Sequence, residues 1–278
     1  DAEIGLLADP AASTEQKWPL FHRLWKASEH TAYARATKLV LQRRYGVEKL
    51  TRAALDQVAE RLPLWRAPDQ GEALLMASGI RAVISDALFS PPRQRNTRIF
   101  SNPVLKAFLR GEQRQPSILH MALNLPYFHE IRQREYVDFM AELTDTNITS
   151  LAEYEESVFE IIRRGRASGI VALKDQSAYW RQIEYDLPPR ADAERIFNRL
   201  LTDPRNQLAW PEAKPLGDYL FHQFMRDARE LDLPVQLHTG HMAGIRNRVD
   251  KANAVHLAST LELHTHVQFD LFHGNWPY

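Results

Sequence analysis

Cysteine is absent from the 278 residues. That excludes a disulfide scaffold, a thiolate nucleophile and any Cys-ligated zinc or iron–sulfur centre, and it fits a reducing compartment such as the cytoplasm. An excess of charge of either sign is missing too: 35 Lys and Arg balance 35 Asp and Glu. Such a chain lacks the one-signed field with which proteins hold nucleic acids or other polyanions. No run approaches the ~20 apolar residues of a membrane span, and Asp1-Ala2-Glu3 does not begin a signal peptide. The G-x-S-x-G elbow, the P-loop and the H-E-x-x-H helix are also absent, which sets aside serine hydrolases, nucleoside triphosphatases and zincins. What is present is 44% hydrophobic residues, enough for a full core. Polar chemistry falls to His, Asp, Glu, Lys and Arg.

Residues 12–66 read as helical. Trp18, Phe21, Leu24 and Trp25 mark one helical face, and Leu50, Ala54, Val58 and Leu62 follow at four-residue steps. From about residue 80 short apolar runs alternate with amphipathic segments. Candidate strands are 80–86, 117–123, 169–174, 233–238 and 266–273, with helices near 129–144, 151–165, 191–202, 216–231 and 251–264. Ser150 and Glu153 offer a capping box for the second of these helices, and Ser168-Gly169 closes it. This alternation is that of a parallel α/β sheet. A doubly wound open sheet would carry a Gly-x-Gly-x-x-Gly fingerprint after its first strand, and none is found. The reading is therefore an α/β (β/α)8 TIM-type barrel, incomplete in this chain. Residues 67–278 form the partial barrel and 1–66 a helical cap or insertion belonging to it. The chain starts without Met and ends as a strand empties into a loop, so sequence is expected beyond one or both ends.

Six of the 11 His fall between 238 and 278: His238, His241, His256, His264, His266 and His273. His238 closes Val235-Gln236-Leu237 and His273 closes Phe269-Asp270-Leu271-Phe272, each with Gly within two residues. Adjacent parallel strands open onto one mouth at their carboxyl ends, so both imidazoles are expected there. Neutral imidazole is the commonest metal-ligating side chain. His241 belongs to the loop behind His238, whereas His256 and His264 read as helix residues and His266 as the far end of its strand. Lys174 closes Ile170-Val171-Ala172-Leu173 one strand earlier, where burial favours a paired, anion-bound or modified amine; the plainer reading pairs it with Asp175. Tyr179, Trp180 and Arg181 follow, the two aromatics as rim packing and Arg181 as an anion clamp. Arg246, after the His238 turn, is a second anion-binding candidate, with Asn275 and Trp276 in the equivalent place after His273.

Together, Leu233-Pro234-Val235-Gln236-Leu237-His238-Thr239-Gly240 and Leu271-Phe272-His273-Gly274-Asn275-Trp276-Pro277-Tyr278 resemble the fifth and sixth barrel strands of the amidohydrolase superfamily. The likeness is nearest to the amidohydrolase-2 branch, which includes the amidohydrolase domain of glutamine-synthetase-like fusion proteins. Uronate isomerases share the architecture. The resemblance covers about 165–278. It implies one or two divalent ions at the barrel mouth, Zn first with Mn or Fe as substitutes, held by His238 and His273, with Lys174 on strand four as a bridging ligand. The family's His-x-His pair is not found near the start; His264-Thr265-His266 is the only one. No residue after Tyr278 supplies the late Asp. The expectation is a metal-dependent hydrolase of a small anionic substrate, with Lys174, Arg181 and Arg246 contacting it. A sugar-acid isomerase or decarboxylase is the alternative on the same fold, and a non-catalytic binding barrel the alternative of another class. Neither nucleic acid nor membrane is expected as a partner, and assembly as a homo-oligomer is left open.

Overall fold

The computed structural model describes residues 2–9, 11–61, 68–85, 107, 118–124, 126–203, 205, 207–244 and 247–278. Leu62, Asp86 and Arg246 thus lie outside the described residues. The chain divides into two compact units, Asp1–Arg81 and Ala82–Tyr278.

The first unit is helical: α1 (Ala2–Ala8), α2 (Thr14–Ser28), α3 (Ala32–Tyr45), α4 (Arg52–Arg61) and α5 (Pro68–Ala77). Ser13 and Gln16 form a reciprocal capping box at the start of α2, and Thr31 caps α3. Gly46 ends α3 in the left-handed conformation that a residue with a Cβ resists. Leu41, Tyr45 and Val47 make a small core covered by Leu50, Ala54 and Val58, the apolar steps seen in the sequence. The Trp18–Phe21–Trp25 face of α2 is only half-buried.

In the second unit five parallel strands lie in sequential order: β1 (Val83–Ser85), β2 (Leu119–Asn124), β3 (Ile170–Asp175), β4 (Val235–His238) and β5 (Phe269–Phe272). A doubly wound sheet reverses its strand order at a switch point. Among the described strands no reversal occurs, and the curled sheet is part of a TIM-like barrel. Between the strands run α6 (Pro126–His129), α7 (Arg134–Thr144), α8 (Leu151–Ala167), α9 (Arg190–Thr202), α10 (Trp210–Glu230) and α11 (Ala258–Leu263). Ser150 and Glu153 form the expected capping box on α8.

Two helix expectations change. The helix expected from 216 begins at Trp210, because Pro211 occupies the first turn, where its missing N–H costs nothing. Pro215 sits one turn later and removes a single ladder bond. The helix expected over 251–264 breaks into 3₁₀ turns Val249–Ala252 and Ala254–Leu257 before α11. Asn253 causes the break: its backbone is extended and its side chain accepts the Val255 N–H.

Strand alternation decides which residues reach the site. Met121, Leu123, Leu173, Val235 and Leu237 join Ile161, Phe197, Leu220, Phe221 and Phe224 in the core between sheet and helices. Each such side chain, fully buried, stabilises the fold by roughly 1.5–3 kcal/mol. The register pairs Leu173 with Val235 and Asp175 with Leu237 on that face. Asn124 is paired with Lys174, Lys174 with Gln236, and His238 with Phe272, so these occupy the opposite face. The α8 helix can lie close to β3 because residue 165 is glycine; a Cβ there would overlap Ile170 Cδ1.

Candidate functional site at the strand carboxyl ends

Lys174, His238 and His273 come together beyond the carboxyl ends of β3, β4 and β5. The His238 and His273 ring centroids are 4.7 Å apart, and His241 lies 5.3 Å from His273. Trp276 stands 6.0 Å from His241, and Tyr179 4.9 Å from His238. The Lys174 ammonium sits over the Phe272 ring, 3.1 Å from its centroid, a cation–π contact. Lys174 and His238 are buried, whereas His273 is exposed.

The imidazoles are tuned in one direction. Burial pushes the His238 pKa down to about 4; the charge of Lys174 and the neighbouring His273 and His241 rings add to this, against a backbone hydrogen bond at His241. His273 is lowered as well, by burial first and then by His241 and Lys174. Both are neutral near pH 7, the form that ligates metals. His238 Nε2 lies 2.6 Å from the His241 carbonyl oxygen. A carbonyl only accepts, so Nε2 carries the proton and Nδ1 keeps the lone pair.

The loops holding the pair are tied to one another. Thr239 Oγ1 donates to the Phe272 carbonyl at 2.7 Å and accepts the Asn275 N–H at 3.1 Å. Asn275 Oδ1 accepts from Ala254 N. Residue 240 must be glycine for two reasons: its φ is +62°, and a Cβ would overlap the carbonyl oxygen of Trp276.

Arg181 is elsewhere. Its guanidinium is buried, with Nη1 donating to Glu130 Oε1 at 2.8 Å and Nη2 to Asp218 Oδ1 at 2.6 Å. Nη2 and Nε also donate to the carbonyls of Glu184 and Gln182. Four of five donors are thereby engaged, and the rings of Tyr185 and Trp210 cover the group. This is an internal ion-pair centre, not an anion clamp facing the mouth. Asp175 does not pair with Lys174 as the plainer reading had it, because neighbouring strand residues face opposite ways. It points into the helix layer, accepting from Tyr185 Oη at 2.6 Å and Ser177 N at 2.7 Å. Burial opposes its ionisation, but hydrogen bonds from His129, Tyr185 and Ser177 outweigh it and hold the carboxyl far below its usual range.

Sequence reasoning missed His129, Glu130 and Asp218, which sit on or beside helices far from their partners in sequence. Their one signal was Arg181, which had to find anions somewhere. His264 is more than a packing residue: its Nε2 lies 2.8 Å from His222 Nδ1. His256 Nε2 lies 3.1 Å from the Asp250 carbonyl oxygen.

The residues fit part of a metal site. His238 and His273 offer two neutral nitrogen donors at one mouth. Among the described residues, however, no three His, Asp or Glu side chains converge to hold an ion. No described helix is long and apolar enough to cross a membrane.

A partial parallel barrel with paired imidazoles at its mouth defines the structural class. Comparison with solved structures shows the particular fold. The uronate isomerase of Thermotoga maritima matches with a TM-score of 0.66 at 14% identity, covering 98% of this chain and 62% of that one. The glucuronate isomerase of Caulobacter crescentus matches at 0.66 and 14%, covering 95% and 56%. A candidate metal-dependent hydrolase from Lactobacillus casei matches at 0.45 and 20%, covering 58% and 39%. The chain has the fold of these isomerases and spans under two thirds of the length of each match. No protein-family model matches it, nor does any curated protein.

Proposed function

We propose that this chain carries part of the active site of a metal-dependent enzyme of the amidohydrolase type acting on a small anionic substrate. The observation that carries the reading is the His238–His273 pair: two strand-end imidazoles at one mouth, both held neutral. His238 through Nδ1 and His273 would hold the ion. When bound, such an ion polarises a substrate carbonyl and acidifies its water. Lys174, seated over Phe272, supplies the positive charge for a substrate carboxylate. Trp276 and Tyr179 wall the mouth with apolar ring faces. Arg181 has no place in this machinery, since its donors are taken inside the protein.

Isomerisation of a sugar acid is the first reading of the reaction. It rests on the likeness to uronate isomerases, which extends over nearly the whole chain. Hydrolysis at a carbonyl, expected from the strand-end motifs, is the second reading on the same residues. Incubation of metal-supplemented protein with a panel of uronates, and separately with amides and esters of small carboxylic acids, distinguishes them. Aldose-to-ketose conversion followed by NMR supports the first, and release of amine or alcohol supports the second. Either activity must disappear in His238→Ala; turnover undiminished in that variant contradicts the proposal.

A further inference from the structure

We infer that Tyr179 is a positioning residue that fixes the tautomer of His238 through the loop at 241–243. The inference deepens the proposed site and rests on His238 belonging to it. Three contacts carry it. The Tyr179 ring packs on the His238 ring, with centroids 4.9 Å apart. The Tyr179 hydroxyl oxygen accepts the Ala243 N–H at 3.2 Å. Two residues earlier in the same loop, the His241 carbonyl accepts from His238 Nε2 at 2.6 Å.

The loop is therefore pinned at both ends, by the residue it orients and by a tyrosine from the neighbouring βα connection. Tyr179 is itself firmly placed. It ends the 3₁₀ turn Ser177–Tyr179, whose first N–H is bound by buried Asp175. Asp175 is held from behind by the Tyr185 hydroxyl and by His129, whose Nε2 lies 3.5 Å from Oδ2. A line of contacts thus runs from the helix layer, around the end of β3, to one ring nitrogen in the mouth. With the His241 carbonyl fixed before Nε2, the proton has one place to reside and Nδ1 keeps its lone pair. A ligating imidazole whose second nitrogen donates to a backbone carbonyl is set in tautomer and orientation this way. With the loop free, the proton redistributes between the two nitrogens.

The test is Tyr179→Phe, which keeps the ring and removes only the oxygen that accepts the Ala243 N–H. In metal-free protein at pH 7.5, ¹⁵N-detected imidazole shifts, assigned with His238→Gln, report the tautomer directly. The native chain is expected to show His238 as the Nε2–H form alone. The variant is expected to show both tautomers in exchange, with unchanged far-UV circular dichroism and a tenfold weaker Zn²⁺ affinity by competition titration. Retention of the pure Nε2–H form in Tyr179→Phe overturns the inference, and so does an Nδ1–H form in the native chain. Tautomer and ion affinity are read without substrate, so a chain that turns over nothing can still confirm the positioning role.

Discussion

Replacing Asp227 with asparagine isolates the cost of one buried carboxylate. Asp227 lies in α10 with 3% of its surface exposed. One oxygen accepts from Gln223 Nε2 at 2.9 Å, and the other makes no hydrogen bond among the described residues. Burial raises its pKa from 3.8 to about 7, with Glu230 and Glu155 adding to the rise and Gln223 and Arg226 opposing it. The folded protein therefore holds this proton more tightly than the unfolded chain does. The resulting stabilisation is fully present below about pH 4 and is lost as the pH climbs to about 7. Roughly three pH units correspond to about 4 kcal/mol as a ceiling. Asp227→Asn is isosteric and never ionises. It should be more stable than the native chain by roughly 2–4 kcal/mol at pH 8 and within about 1 kcal/mol of it at pH 4. Urea unfolding followed by circular dichroism, at half-unit steps from pH 4 to 8, measures the difference. A difference that stays flat across this range, or an Asn variant less stable at pH 8, refutes the reasoning.

Gly240→Ala meets both a left-handed backbone and the Trp276 carbonyl; it should lower stability by at least about 2 kcal/mol in urea unfolding and disturb the His273 resonances. Arg181→Met leaves Glu130 as a buried carboxylate without its arginine and Asp218 with Lys214 as its remaining cation. A loss of about 3–5 kcal/mol is expected in urea unfolding at pH 7. A substrate-binding Arg181 would instead raise KM and leave stability alone.

Much of the fold was legible because it rests on short-range pattern. The five strands stand where apolar runs lay between amphipathic segments, and Ser150 with Glu153 announced the start of α8. The placement of His238 and His273 at one mouth followed from position alone, since parallel strands deliver their carboxyl ends to one side. What was not legible depends on partners distant in sequence. Arg181 looked like an anion clamp because nothing nearby revealed Glu130 and Asp218, 51 and 37 residues away. The break at Asn253 escaped notice because its side chain competes for the backbone only once the chain turns there. The tie from Tyr179 to the loop behind His238 needs the β3 and β4 ends side by side, which no periodicity shows.

The central claim is that His238 and His273 share a metal ion. The most direct test is elemental analysis of the protein purified without chelator and reconstituted with Zn²⁺, Mn²⁺ or Fe²⁺, beside the His238→Ala/His273→Ala double variant. The account predicts about one equivalent of ion on the native chain and none on an equally well-folded double variant. Equal ion content in the two proteins, or none in either after reconstitution, would contradict it.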